Sequence, residues 1–150
     1  MLFSELKNIL NHNSVSREKV IKLLSQLTDV ENSDGMIISK KEYADFFSNL
    51  QYNNHIYVMQ TDEEELVGMA TIIVENKLIH GGSKVAHIED VVIHKKYRGL
   101  GYGKLLLDNL INKSKNFGCY KIILNCHEKN IGFYEKAGFQ QKNIEMSLYL

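Results

Sequence analysis

The sequence contains no proline, only two cysteines, no net charge and no long apolar run. Without proline, repeats or low-complexity tracts, nothing along the 150 residues marks a stiff linker between domains. Eighteen basic residues balance 18 acidic ones, so the chain lacks the basic field that duplex DNA or an anionic membrane favours. Neither nucleic-acid partners nor membrane insertion is expected. Apolar runs of a few residues are too short for a membrane span, and Glu5 and Lys7 interrupt MLFSELKNIL, which would have to serve as a signal core. Cys119 and Cys126 lie seven apart in a predicted strand, so they point to opposite faces and do not readily bridge. Both are expected to be ordinary buried thiols in a reducing, cytoplasmic setting. The six histidines show no ligand spacing such as H-E-x-x-H, and no metal is expected.

What is present suffices for one domain with a proper core: 150 residues, 44% of them apolar. Val20, Ile21, Leu24 and Leu27 fall at helical spacing on one face, predicting a first amphipathic helix. Ser39 to Glu42 reads as a capping box, and Tyr43, Phe46, Phe47 and Leu50 behind it define a second helix. From His55 the period turns to two. HIYVMQ and LVGMATIIVE form a hairpin around an acidic turn, and the short piece KLIH with the loop His80 to Ser83 leads into a long strand. A helix from Lys104 to Gly118, the buried strand CYKIILNCH, a short helix NIGFYEKAG and a final strand FQQKNIEMSLYL complete the order αα-βββ-α-β-α-β. No first strand is evident before Ser16. The class is α/β with a mixed sheet.

The segment AHIEDVVIHKKYRGLGYGK carries the strongest local signal. A β-branched strand breaks into a glycine turn and passes at once into a helix, so backbone N–H groups can converge on an anion at the positive end of the helix dipole. The spacing fails the dinucleotide fingerprint, because the sixth position counted from Gly99 or Gly101 is Lys104 or Leu106. It fails the nucleoside-triphosphate loop as well, since Arg98 stands where a glycine is needed and Leu105 where Ser or Thr is needed. Arg98-x-x-Gly101-x-Gly103 remains, either as a flexible helix-capping turn or as a phosphate cradle. It resembles the acetyl-CoA pyrophosphate loop of the GNAT superfamily of N-acetyltransferases.

Within the strand, alternation places Ala86, Ile88 and Val92 on one face together with Asp90, a carboxylate amid apolar neighbours. Three readings stay open: Asp90 is hydrogen-bonded, the strand bulges near Glu89 and Asp90 and turns both toward a cleft, or the segment is solvated. Of the adjacent aromatics Phe133 and Tyr134, the first is expected in the core. A phenol at Tyr134 is chemically able to donate to a departing thiolate.

HIEDVV, YRGLGYGKLL, GCYKIIL, NCHEKN, GFYEKAGF and EMSLY, in this order, resemble the glucosamine 6-phosphate N-acetyltransferase family. That resemblance implies a single GNAT acyl-CoA N-acyltransferase domain over residues 1–150, with a mixed, mostly antiparallel central sheet flanked by helices. It implies acetyl-CoA held by Val91, Val92 and Ile93, by the loop Arg98, Gly99, Leu100, Gly101, Tyr102, Gly103 and Lys104, and by Asn130, with Tyr134 at the coenzyme A thiolate. It implies an amino-sugar phosphate near Thr28, Lys77, Leu78, Ile79, His80, Glu89, Asp90, Tyr120, Lys121 and Asn125, and a homodimer with shared active sites. Two positions depart from the family pattern: Asn125 stands where relatives carry aspartate, and Tyr149 where they carry arginine. Neither supplies the charge of the residue it replaces, which bears on how a sugar phosphate is held.

Acetyl transfer to an amine requires a neutral nucleophile, a polarised carbonyl and a stabilised leaving thiolate. Help in deprotonating the amine can come from Glu89, Asp90, an adjacent carbonyl or water, with the acidic pair the candidate to orient and deprotonate it and Tyr134 the candidate to meet the departing sulfur. Direct attack is expected, because neither cysteine sits beside an activating base in a known motif. Two other functions fit the superfamily loop: acetylation of another small or protein amine, and non-catalytic binding of acetyl-CoA.

Overall fold

Two long antiparallel strands, β3 (Leu66–Asn76) and β4 (Lys84–Ile93), form the spine of the computed structural model, which describes residues 1–9, 15–27 and 39–150. On one side β3 pairs with β2 (Asn54–Gln60), and β2 pairs with β1 (Leu2–Glu5), both antiparallel. On the other side β4 pairs in parallel with β5 (Cys119–Ile123), giving one five-stranded sheet in the order β1-β2-β3-β4-β5. The parallel pair needs a crossover, and α4 (Tyr102–Asn116) supplies it. Three short helices lie before β2: α1 (Leu6–Ile9), α2 (Arg17–Leu24) and α3 (Lys40–Ser48); α5 (Ile131–Glu135) follows β5. The mixed, mostly antiparallel sheet matches the expected class. Among the described residues no helix is long and apolar enough to cross a membrane.

Each face of the sheet buries its own core. Leu106, Leu107 and Leu110 of α4 pack on Tyr57, Met59, Ala70, Ile72, Ala86 and Ile88. Val20 and Leu23 of α2, with Leu6 and Val15, pack on Ile56, Val58, Met69 and Val92 on the opposite face. The α2 stripe therefore runs through Val20 and Leu23, while Leu27 is exposed. The capping box at α3 is present as predicted: Glu42 N donates to Ser39 Oγ at 3.1 Å, and Ser39 N donates to Glu42 Oε2 at 2.6 Å. Tyr43, Phe47 and Leu50 rest against the second core, but Phe46 is exposed.

Simple alternation fails at one place in β4. Thr71 pairs with Glu89 and Met69 pairs with Val92, so Ala70 alone opposes both Asp90 and Val91. Asp90 adopts φ +54°, the left-handed region. This is a β-bulge, and the extra residue exchanges the two faces of the strand beyond it. Ala86 and Ile88 face α4, after which Val91 and Ile93 pack on that core and Val92 turns to the other. Val92 thus does not share a face with Ile88, contrary to the alternation.

The ends of the chain also differ from expectation. β1 exists, held by pairs from Leu2↔Gln60 to Glu5↔Tyr57 and by the stacking of Phe3 on Tyr57 at 4.9 Å. β5 stops at Ile123, residues 124–127 leave the sheet, and residues 77–83 contain no strand. The final strand is absent. Residues 139–150 join no strand among the described residues, and Ile144, Met146, Leu148, Tyr149 and Leu150 are 84–114% exposed. A period-two apolar stripe specifies a strand only where an edge is available to complete its hydrogen bonds. Nor are the cysteines buried: Cys126 is exposed outside β5, Cys119 is partly exposed, and both are free thiols.

A left-handed aspartate carries backbone strain that glycine does not. Asp90→Gly is expected to raise the free energy of unfolding by about 1 kcal/mol, read from denaturant melts. A lowered stability would mean that the Asp90 side chain contributes more to the fold than its backbone costs.

Candidate active site

The bulge determines where the acidic pair points. The three readings of Asp90 prove compatible: the strand bulges, Asp90 is exposed and accepts a hydrogen bond from Thr71 Oγ1 at 3.4 Å, and Glu89 is partly buried. Burial pushes the Glu89 carboxyl above its ordinary value, and the adjacent charges of Asp90 and Glu145 push it the same way, while His87 opposes them. A carboxylate with a raised pKa is better matched to accepting a proton near neutrality.

The core member of the adjacent aromatic pair is Tyr134, not Phe133 as expected. Tyr134 is 9% exposed and belongs to the α4 core, whereas Phe133 is 37% exposed. The two rings meet edge to face at 5.0 Å, and Phe139 meets Tyr134 at 6.0 Å. In a helix as short as α5 only one of two adjacent residues faces the sheet, and the chain commits Tyr134. Burial, followed by the charges of Cys126 and Glu89, raises the Tyr134 phenol to about 12. It therefore keeps its proton throughout the neutral range, and its hydroxyl has no hydrogen-bond partner among the described residues. Tyr134 borders a cleft of about 750 Å³ with Asn125, Cys126, Ile131 and the segment from Phe139 to Glu145. Asn130 is exposed in the 3₁₀ turn Glu128–Asn130 that leads into α5.

Beyond Ile93 the chain makes a 3₁₀ turn, Lys95–Tyr97, and then the glycine loop. Gly99 and Gly101 take φ +77° and +84°, and Gly101 caps α4. A Cβ at either position would touch nothing within 4 Å, so these glycines are required by backbone conformation and leave open space over the loop. Gly103 differs, because a Cβ there would lie 3.0 Å from the Phe133 ring. The first intrahelical bond runs from Leu105 N to Gly101 O, at 3.1 Å. The N–H groups of Tyr102, Gly103 and Lys104 therefore lack helical acceptors at the positive end of a 15-residue helix. This arrangement can hold a diphosphate.

Arg98 braces the cradle from behind: its Nε donates to Ile93 O at 2.9 Å and its Nη2 to Gln26 O at 3.1 Å. Gln26 Oε1 also accepts from Lys95 N at 2.7 Å. Sequence reasoning missed Gln26, because nothing local marks a contact 72 residues away. Lys104 pairs with Asp108 at 2.6 Å, one turn along α4.

The residues assigned to the sugar divide into two groups. Tyr120 meets His80 at 5.0 Å, and Lys121 Nζ lies 5.7 Å from the Tyr120 ring centre. Lys77 is bonded to Glu75, which also meets His87 Nε2 at 2.8 Å. Leu78 and Ile79 are exposed on the same loop. Lys121 pairs with Val85, four residues before Glu89 on β4, so the cationic group lies about 13 Å along the strand from the acidic pair. Thr28 lies outside the described residues.

The acetyltransferase (GNAT) family model matches residues 20–139. The glucosamine 6-phosphate N-acetyltransferase of Arabidopsis thaliana is 36% identical over 140 residues, 91% of each chain. Glucosamine 6-phosphate N-acetyltransferase 1 of Dictyostelium discoideum is 33% identical over 131 residues, covering 85% of this chain and 80% of that one. The crystal structure of the Arabidopsis enzyme superposes with a TM-score of 0.81 at 30% identity, covering 99% of this chain and 97% of the other. The chain thus belongs to the acetyltransferase (GNAT) family.

Proposed function

We propose that this chain transfers acetyl from acetyl-CoA to the 2-amino group of D-glucosamine 6-phosphate, giving N-acetyl-D-glucosamine 6-phosphate and coenzyme A. The carrying observation is the bulge at Asp90, which lies on the strand leading to the glycine loop and follows Glu89, a carboxylate near enough to the buried Tyr134 to act on its phenol. The names of the relatives supply the substrate. The reaction is assigned to the cytoplasm, and no step in it calls for a metal.

Acetyl-CoA, when bound, contributes the acetyl thioester. The N–H groups of Tyr102, Gly103 and Lys104 hold its diphosphate, and Val91 to Ile93 line the path from there to Glu89. The bulge interrupts the β3–β4 ladder at Asp90 and Val91. In our reading a backbone N–H at Val91 or Val92 polarises the thioester carbonyl, an effect of about 2.7–4 kcal/mol on the barrier at comparable oxyanion donors. Glu89 takes the amine proton as the N–C bond forms. Tyr134 donates from its hydroxyl to the sulfur as the C–S bond breaks.

The gap of about 13 Å between the cationic group and the acidic pair is bridged in our reading by a second copy of the chain. The exposed stripe of Ile144, Met146, Leu148 and Leu150 would pair across the dimer and bring the partner's sugar-binding side chains to Glu89 and Asp90. Light scattering should report a dimer, and truncation after Asn143 should give an inactive monomer. An active full-length monomer would refute the shared site.

Thiol release with acetyl-CoA is expected for glucosamine 6-phosphate, more slowly for glucosamine, and not for a peptide amine. No release with the phosphosugar would end this assignment. Equal rates for both sugars would show that Asn125 and Tyr149 mark a site indifferent to phosphate. Tyr134→Phe should lower kcat by about tenfold to a hundredfold where chemistry limits turnover; an unchanged kcat would remove Tyr134 from the leaving-group step. Because the Glu89 carboxyl is raised, the acid limb of kcat/KM should fall above the ordinary carboxylate range.

A further inference from the structure

Asp90 projects from a bulge into solvent, next to a carboxylate of like charge. Left alone, such a side chain would rotate away from Glu89. Thr71 restrains it: this residue stands opposite Glu89 in the last regular pair before the register shifts, and its Oγ1 donates to Asp90 Oδ2 at 3.4 Å. The placement is firm because a β-branched side chain on a central strand has little χ1 freedom. β3 is hydrogen-bonded on both sides, so Thr71 is held by ladders to β2 and β4.

We propose that Thr71 is a positioning residue for the acidic pair, holding the Asp90 carboxylate beside Glu89 and thereby setting the readiness of Glu89 to accept the proton of the amine. The proposal rests on the reading of Glu89 as the base. Four groups act on or respond to Glu89: Asp90 and His87 on β4, Tyr134 on α5 and Glu145 in the C-terminal segment. Of these, Asp90 is the one bonded to Thr71. Releasing it lets that carboxylate move away from Glu89 and weakens the like-charge repulsion, so the Glu89 pKa falls when the hydroxyl is lost.

The test is a carboxylate ¹³C NMR titration of the ligand-free protein, alongside pH profiles of kcat/KM. In Thr71→Val the Glu89 midpoint should move to lower pH, the acid limb should follow it, and plateau kcat/KM for the amine should drop about tenfold, as expected for a hydrogen bond to a charged group. Thr71→Ser restores the hydroxyl and should restore all three. A Glu89 midpoint unmoved in Thr71→Val, or unrestored in Thr71→Ser, overturns the proposal. Failure of the base reading shows elsewhere, as a Glu89→Gln enzyme with wild-type turnover, and leaves the titration free to judge Thr71.

Discussion

One extra residue in β4, Asp90 at φ +54°, governs the relation between fold and chemistry in this chain. Before it, Ala86 and Ile88 serve the core under α4; after it, Val91 and Ile93 take over that face and Val92 turns to the core under α2. The exchange lets a single strand anchor both layers. It also leaves a break in the ladder at the only place where two consecutive carboxylates occur on the strand. Strain of order 1–3 kcal/mol at such a residue persists because the packing on either side over-determines it.

The rest of the site follows from where β4 ends. Ile93 hands the chain to a 3₁₀ turn whose exit is fixed by His94 N donating to Val67 O at 2.9 Å and by Arg98 gripping the Ile93 carbonyl. Two left-handed glycines then start α4 with its first N–H groups free. Because α4 is also the crossover that makes β5 parallel to β4, the same helix that starts at the glycine loop sets the strand leading to Tyr134. Glycine loop, acidic pair and phenol are therefore related through one strand and one helix.

Features encoded locally could be read from sequence. The capping box at Ser39, the glycine loop and the period of β2 to β4 each depend on neighbours within a few residues. The bulge was one of three open readings, since an acidic residue in an apolar run signals a departure from alternation without saying of which kind. Features encoded at long range were hidden. β1 is a strand because β2 offers it an edge, and Gln26 matters because of contacts to Lys95 and Arg98. Tyr134 is inside and Phe133 outside because α5 lies against the sheet at one rotation, which adjacency in sequence does not define. The C-terminal stripe alternates like a strand, yet no edge of the chain's own sheet receives it.

The most direct test of this account is a crystal structure with coenzyme A and glucosamine 6-phosphate bound. It should show the diphosphate on the N–H groups of Tyr102 to Lys104, the sulfur at the Tyr134 hydroxyl, and the sugar amine at Glu89 beside an intact bulge. A coenzyme seated away from the glycine loop, or a β4 that straightens when ligands bind, would contradict it.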